Sequence, residues 1–198
     1  AAMRALLNDR DSSEFAGKYN EQIDRMDEIV RYQLRKPAVA ASENLVLTPV
    51  NVGEEVRRLV EGLHKVYVDK HPTIEVDVDS DIRFRADTGD FLELAGNLLD
   101  NACKWCDGNV RIKIRAAVDA NAVASGMIMT VADDGPGIPA DAADALLQRG
   151  TRLDESTPGH GIGLAIVKDI AHSYRGELTI QRSELGGAEI TVTIPPIS

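Results

Sequence analysis

The period of the apolar residues changes near residue 42, and this change constrains the fold more than any other feature of the chain. Before it, residues 15–30 place an apolar side chain at every third or fourth position, as one face of an amphipathic helix does. After it, segments such as 110–115 alternate apolar and charged residues, and helix-length segments such as 88–105 lie between them. We therefore expect an N-terminal helix followed by helices packed on one face of a sheet.

Residues 1–41 are expected to form a part separate from the domain of residues 42–198. Asp11 followed three positions later by Glu14 is a typical helix start, and Pro37 should end that helix because it lacks an amide hydrogen. The apolar stripe of this helix needs a partner. Either the other helix of a hairpin or the chain's own second domain can supply it.

The sequence pattern of residues 42–198 predicts an α/β fold, a two-layer sandwich of three helices and a mixed, mostly antiparallel sheet. Helices are expected at residues 52–69, 88–105 and 162–174, with a shorter helix at 141–147. Strands are expected at residues 45–50, 74–78, 82–86, 110–115, 127–132, 178–182 and 189–194. Two of these strand pairs are hairpins, and Gly186 and Gly187 provide the turn of the second.

Composition excludes several classes of protein. A net charge of −10 leaves no basic stripe for a nucleic-acid backbone. No apolar run reaches the roughly 20 residues that span a bilayer. Cys103 and Cys106 are the only cysteines, and without a second ligand pair they are expected to be small buried residues on a helix rather than zinc ligands.

The segment 97–105 places several candidate ligand groups on one helix. Asn97 and Asn101, four positions apart, present their amides on one face, and neutral oxygens suit Mg²⁺. Lys104 offers a charge for phosphate and Trp105 a flat ring on which a purine can stack. Two asparagines on a helix can equally be ordinary polar surface.

A second candidate segment follows the strand at 127–132. Asp133 can accept a hydrogen bond from the exocyclic amine of adenine. Gly135 and Gly137 let the backbone approach a ring closely, and Ile138, the next residue, is a further candidate for contact with the nucleotide. The alternative for this segment is an ordinary tight turn.

A third candidate segment opens the helix at 162–174. Gly159, His160, Gly161 and Gly163 precede Leu164, and glycine-rich backbone at a helix N-terminus offers amide hydrogens to phosphate. A Rossmann site does not fit, because no strand comes shortly before the glycines. The polar segment 148–158 in front of them is expected to act as a lid.

The three segments occur in the order N-x-x-x-N, D-x-G-x-G and G-x-G-x-G-L. This combination resembles the Bergerat-type ATP-binding fold of the GHKL superfamily, which includes histidine kinases, DNA gyrase, the ninety-kilodalton heat-shock chaperone and MutL. The resemblance covers residues 45–194. The runs NLLDNACKWC, DDGPGIP and PGHGIGLAIVKDI are most similar to the PhoQ-like group of sensor histidine kinases.

The resemblance implies ATP and Mg²⁺ as ligands. It makes Asn97 and Asn101 the catalytic and metal-binding pair. His160 stands where the family has a glutamine that reaches metal and phosphates, and a neutral imidazole nitrogen can still bind the ion.

The resemblance also assigns the remaining groups of the ATP site. It implies that Asp133 recognises adenine, that Trp105 packs on the base, and that Lys104 and Arg152 contact phosphates. Arg149 is a weaker phosphate candidate.

One residue separates a kinase from the hydrolysing members of the superfamily. Those members have a glutamate four positions before the metal-binding asparagine, and here that position holds Asn97. An amide cannot act as a general base, which favours transfer to histidine over an ATPase. A catalytically silent nucleotide-binding module is disfavoured because all three motifs are intact.

None of His64, His71, His160 and His172 lies in the H-[ED]-L-[RK]-x-P context of a phosphoacceptor. Residues 15–34 resemble the second helix of a dimerisation hairpin whose first helix carries that histidine, so self-phosphorylation is not expected. The implied partners are ATP, the chain's own dimerisation domain in a homodimer, and the receiver domain of a response regulator. The implied location is the cytoplasmic part of a bacterial inner-membrane receptor.

Overall fold

A computed structural model describes residues 49–80, 82, 84–117, 126–139, 142 and 163–196. The helices within these residues are α1 (Val52–Val66), α2 (Thr88–Trp105) and α3 (Gly163–Ser173). The strands are β1 (Thr73–Val78), β2 (Asn109–Ala117), β3 (Gly126–Asp133), β4 (Glu177–Arg182) and β5 (Ala188–Ile194). The chain divides into two compact units, residues 1–45 and 46–198, and the described residues belong to the second.

The five strands form one sheet in the order β1-β2-β3-β5-β4. Only β1 and β2 are parallel, with Ile74 opposite Val110, and the other neighbours are antiparallel. This confirms the predicted mixed, mostly antiparallel sheet. Because β5 lies between β3 and β4, the start of β5 is next to the end of β3.

The helices cover one face of the sheet. α2 packs on β2 and β3, α3 packs on β4 and β5, and α1 contacts β1 and α2. Asp87 caps α2, since its side chain accepts a hydrogen bond from the amide of Asp90 at 3.1 Å. Most apolar residues of α2 and of the central strands are buried between the two layers, including Leu98, Leu99, Ile112, Ile114, Met127 and Met129. The predicted two-layer sandwich is therefore confirmed.

Charged residues line the other face of the β1–β2 pair. Arg111 Nε lies 2.6 Å from Glu75 Oε2, and Arg115 pairs with Asp77 and Asp79. The alternation that predicted β2 as a strand with one solvent-facing side is thus present in the structure.

Helix α1 is shorter than the sequence predicts. It ends at Val66 rather than at residue 69, because Tyr67 leaves helical geometry and its hydroxyl donates to Asp100 Oδ1 at 2.8 Å. The amides of Lys70 and His71 then donate to the carbonyl of Tyr67 in a turn. A contact with α2, which no local pattern encodes, ends the helix.

Residues 82–86 do not form the predicted strand in the part that the structure describes. There is a single antiparallel bridge between Arg85 and Pro49. Proline has no amide to continue a ladder, and Phe84 packs instead against the rings of Phe91 and Tyr174.

Both cysteines are buried and free, as expected. Cys106 lies one residue beyond α2, however, where it caps the helix and donates its amide to Ala102. Burial raises the pKa of the Cys103 thiol to about 12, so it stays protonated at neutral pH.

Of the predicted helix at 141–147, only residue 142 is described, and its amide donates to the carbonyl of Pro139 in a turn. The lid at 148–158, the strand segment 45–48, the helix at 15–34 and the predicted boundary between residues 41 and 42 lie outside the described residues. Among the described helices, none is both long and apolar enough to cross a membrane.

Candidate nucleotide-binding site

Asp133 is a buried carboxylate at the end of β3. Its Oδ1 accepts hydrogen bonds from the amides of Gly135 at 2.9 Å and Ala188 at 3.1 Å. Burial raises the pKa of this carboxyl, while the two amide bonds act in the opposite direction. No described residue donates to Oδ2. In the described part, every side-chain oxygen that is shut off from solvent has a hydrogen-bond partner, so Oδ2 keeps some contact with solvent. Oδ2 is therefore accessible as an acceptor for a ligand.

Glycines shape the surroundings of Asp133. A Cβ on Gly187, in the turn between β4 and β5, would lie 2.0 Å from Asp133 Oδ1, and one on Gly135 would lie 2.1 Å from the carbonyl oxygen of Trp105. Gly137 has a φ of +80°, which L side chains rarely adopt. Only glycines allow the loop after β3, the β4–β5 turn and the end of α2 to approach this closely.

Trp105 is the last residue of α2, and its backbone contacts the loop that carries Asp133 and Gly135. The ammonium group of Lys104 lies 5.6 Å from the centre of the Trp105 ring. Lys70 donates to the carbonyl of Lys104 at 2.7 Å, which fixes the end of the helix. The residue that carries the predicted stacking ring is thus next, through its backbone carbonyl, to the loop that carries the predicted adenine acceptor.

Asn97 and Asn101 lie against the start of α3. A Cβ on Gly163 would be 2.8 Å from Asn97 Oδ1 and 3.4 Å from Asn101 Nδ2. Asn97 Nδ2 donates to the carbonyl of Glu93 at 2.7 Å, so its amide nitrogen is used and its oxygen faces α3. Leu164, the next residue of α3, packs against the core and anchors the helix. The first and third motifs therefore meet at one place.

Asp134, next to Asp133, was not predicted as a functional residue. Its carboxylate accepts four hydrogen bonds from the turn after α2, at Asp107, Gly108 and Asn109. Burial tends to raise its pKa, but the bonds from Asn109, Gly108 and Asp107 outweigh that effect and lower the pKa to about 2. Gly187 was also missed as a site residue, although the paired glycines had predicted the turn.

Five predicted site residues lie outside the described residues: Arg149, Arg152, Gly159, His160 and Gly161. The described site residues fall into two clusters along α2, one at Asn97, Asn101 and Gly163 and the other at Trp105 and Asp133. The eight steps from Asn97 to Trp105 correspond to about 12 Å of helix axis, a separation that a nucleotide with its triphosphate can bridge. Ile138 follows the second cluster and is half-buried.

Comparison with known proteins gives the family. Residues 86–198 match the family described as histidine kinase-, DNA gyrase B- and HSP90-like ATPases. The chain belongs to this family. The match covers the whole described site from α2 to β5 and confirms the superfamily that the three motifs predicted.

Within the family, similar proteins are sensor kinases. The two-component sensor PhoQ of Pseudomonas aeruginosa is 40% identical over 167 residues, which are 84% of this chain and 36% of that protein. The chain thus spans just over a third of the length of the curated relatives it matches. This similarity confirms the predicted likeness to PhoQ-type sensor histidine kinases.

Solved structures agree with the fold. The mycobacterial sensor histidine kinase MprB has a TM-score of 0.64 at 28% identity, over 77% of this chain and all of that one. Full-length ShkA in complex with AMPPNP has a TM-score of 0.66 at 28% identity, over 78% of this chain and 32% of that one. This ATPase-family domain is therefore built like the catalytic domains of histidine kinases.

Proposed function

We propose that this chain is the ATP-binding catalytic part of a two-component sensor histidine kinase, which transfers the γ-phosphoryl group of ATP to a histidine on a dimerisation helix. The observation that favours a kinase over an ATPase is that position 97 holds an amide with a fixed orientation. Its amide is bonded to the Glu93 carbonyl and held against Gly163, in the position where the hydrolysing members of the superfamily have a glutamate. An amide takes no proton from water, whereas a neutral imidazole nitrogen is already a nucleophile.

In this proposal the base binds between Trp105 and Asp133. The accessible Oδ2 of Asp133 accepts from the exocyclic amine of adenine, while Oδ1 is held by two backbone amides. Guanine has a carbonyl at that edge, which repels a carboxylate. The backbone at Gly135, Gly137 and Ile138 borders the same space, which supports selectivity for adenine nucleotides.

Mg²⁺ fits the residues at the other cluster. The Oδ1 atom of Asn97 faces the start of α3 because its Nδ2 is already bonded, and Asn101 lies beside it. Neutral oxygens are ligands that Mg²⁺ accepts, and Asn97 and Asn101 would hold it, with His160 as a third ligand by resemblance. When bound, the ion would neutralise charge on the phosphates.

The phosphates are proposed to lie at the start of α3. Gly163 brings the backbone of that helix against Asn97 and Asn101, and its N-terminal end carries a positive partial charge. Lys104 and, by resemblance, Arg152, Arg149 and the glycines at 159 and 161 supply the other contacts. The histidine nitrogen attacks the γ-phosphorus, the bond to the β–γ bridging oxygen breaks, and ADP leaves.

The partners of the whole protein are proposals on the same basis. We infer a dimerisation domain that carries the acceptor histidine, a homodimeric parent, and the receiver domain of a response regulator as the next acceptor. From the similarity to PhoQ-type sensors we infer that the chain is a cytoplasmic kinase domain of a bacterial inner-membrane receptor. The described part has no helix that could cross a membrane.

Radiolabelled ATP tests the function directly. The chain is incubated with Mg²⁺, labelled ATP and a separately produced dimerisation hairpin that carries a histidine, and label on the hairpin is measured. Asn101→Ala should abolish transfer while the fold persists, because alanine is favoured in a helix. Asn51→Ala, at the exposed start of α1, is the matched control and should transfer normally. Equal transfer by Asn101→Ala and the wild type would contradict the proposed site.

A further inference from the structure

Asp134 is adjacent in sequence to the proposed adenine acceptor, but its carboxylate binds the turn after α2. We propose that Asp134 is a positioning residue for the nucleotide site: it fixes this turn to the loop after β3 and thereby holds Trp105 in place for stacking on a base. The inference rests on the proposed function, because a positioned ring affects activity only in a site that binds a nucleotide.

The contacts of Asp134 involve the whole turn. Oδ1 accepts from the amides of Asp107 at 2.8 Å, Gly108 at 3.0 Å and Asn109 at 3.0 Å. Oδ2 accepts from Asn109 Nδ2 at 2.7 Å. The amide of Asp134 in turn donates to the carbonyl of Asn109 at 3.2 Å. One side chain therefore fixes three consecutive residues.

Apolar packing contributes little to this turn. Asp107 and Asn109 are exposed, and Gly108 has no side chain. A further tie is the bond from the Thr73 amide to the carbonyl of Gly108 at 2.8 Å, which attaches the turn to β1. The described ties between this turn and the nucleotide loop are the side-chain bonds of Asp134, the bond from its own amide to Asn109, and the β2–β3 ladder, which starts with Val110 opposite Asp133. Of these, only the side-chain bonds reach Asp107 and Gly108, and their strength is that of hydrogen bonds to an ionised acceptor.

The turn begins two residues after Trp105. Within that distance, the amide of Cys106 donates to the carbonyl of Ala102 at the end of the helix, and the carbonyl oxygen of Trp105 lies 2.1 Å from the position that a Cβ on Gly135 would take. Asp134 thus binds the chain just after Trp105, at residues 107–109, and Gly135 lies against the carbonyl of Trp105 itself. A displaced turn would shift the end of α2 and the indole with it.

The charge state of Asp134 is suited to this role. Its pKa is lowered to about 2, since the amide bonds outweigh the effect of burial, and the carboxylate is therefore ionised throughout the physiological range. Oδ1 and Oδ2 are both used within the turn. The residue thus acts on the site through Trp105 rather than by touching the nucleotide.

Asp134→Asn is the first test. Asparagine keeps the size and one oxygen for the amides, but its NH₂ group then faces Asn109 Nδ2, so that two donors oppose each other. Trp105 is the only tryptophan of the chain, and its fluorescence reports on this site alone. We expect acrylamide to quench Trp105 more strongly in the ligand-free variant, and AMPPNP to bind about tenfold more weakly, as for the loss of one hydrogen bond to a charged group.

Two further variants separate positioning from general destabilisation. The reciprocal swap Asp134→Asn with Asn109→Asp restores a donor opposite an acceptor and should recover both quenching and affinity toward wild type. Asp79→Asn is the matched control, because Asp79 also accepts a backbone amide, that of Ala116 at 3.0 Å, but at the other end of the β1–β2 pair. It should change neither measurement.

The outcomes decide between the proposals. Wild-type quenching in Asp134→Asn would overturn the positioning role, whatever the affinity. Failure of the wild-type chain to bind AMPPNP would overturn the proposed function, while the quenching of the ligand-free proteins would still decide whether Asp134 holds Trp105. If Asp134→Asn does not fold, Asn109→Ala replaces it, and unchanged quenching in that variant overturns the proposal.

Discussion

At the scale of single residues, the two oxygens of Asp133 differ in their hydrogen bonds within the described residues. Oδ1 accepts from the amides of Gly135 and Ala188, and the proposed function makes Oδ2 the acceptor for a ligand. In Asp133→Asn the carbonyl oxygen can keep the amides, so the NH₂ group takes the place of Oδ2 and opposes the amine of adenine. We expect ATP binding to weaken by about 1–3 kcal/mol, the cost of an unpaired buried polar group.

Calorimetry with ATP and GTP checks this prediction. The wild type should prefer ATP clearly, and Asp133→Asn should lose most of that preference with its fold intact. Equal affinity of the wild-type chain for the two nucleotides would remove the assignment of Asp133.

In the proposed function, Asn97 is the residue that favours a kinase over a hydrolase. Asn97→Glu introduces a carboxylate on the face of α2 that meets Gly163. If water is placed suitably, hydrolysis of ATP should rise, since general-base help is worth about 10²–10⁴-fold. Phosphate release by the wild type should be very slow without an acceptor. Brisk hydrolysis by the unmodified chain would favour the ATPase alternative.

At the scale of elements, the turn between β4 and β5 completes the site from a distant part of the chain. A Cβ on Gly187 would lie within 2.6 Å of both Asp133 Oδ1 and the Asp133 carbonyl oxygen, and neither the buried carboxylate nor the backbone can move aside easily. We expect Gly187→Ala to lower the free energy of unfolding by about 1–3 kcal/mol, the range for overpacking, and to abolish nucleotide binding. Thermal unfolding and calorimetry measure the two effects.

Gly62→Ala is the control for that substitution. Gly62 lies in α1, and a Cβ there has no neighbour within 4 Å. Alanine is better than glycine inside a helix by roughly 1 kcal/mol, so this variant should be more stable and bind normally. We expect the free energy of unfolding to fall in Gly187→Ala and to rise in Gly62→Ala. Equal changes in the two variants would argue against the close approach at Gly187.

At the scale of the whole molecule, the sheet and its helices are stabilised by an ionised Asp134. Its pKa is about 2 in the folded state and about 3.9 in an unfolded chain. A lowered pKa stabilises the fold above the unfolded value, and this contribution disappears as the pH falls from about 4 toward 2. The raised pKa of Asp133 acts in the opposite sense, because its ionisation costs stability as the pH rises.

The measurement is urea unfolding from pH 6 down to pH 2. Asp134→Asn should be less stable than the wild type at pH 6, and the two free energies of unfolding should converge at the acidic end. Asp79→Asn serves again as a control for the loss of one carboxylate. A constant difference between wild type and Asp134→Asn over the whole range would mean that the charge of Asp134 does not contribute.

The sequence by itself determined the local features. The sequence predicted a helix at residues 88–105, and α2 has those bounds. The alternation at 110–115 predicted β2, and the spacing of Asn97 and Asn101 placed both on one face. The order of the three motifs also gave the family. These features follow from short-range geometry, in which side-chain direction repeats every 3.6 residues in a helix and every two in a strand.

Only the tertiary structure decided which distant residues meet. Ala188 reaches Asp133 across 55 positions, because β5 lies between β3 and β4. Tyr67 ends α1 early because Asp100 accepts its hydroxyl group. Asp134, which in the sequence is only one more acid in a turn, accepts three consecutive amides of the turn that follows α2. Such contacts depend on strand order and on packing between layers, and no periodicity within a segment carries that information.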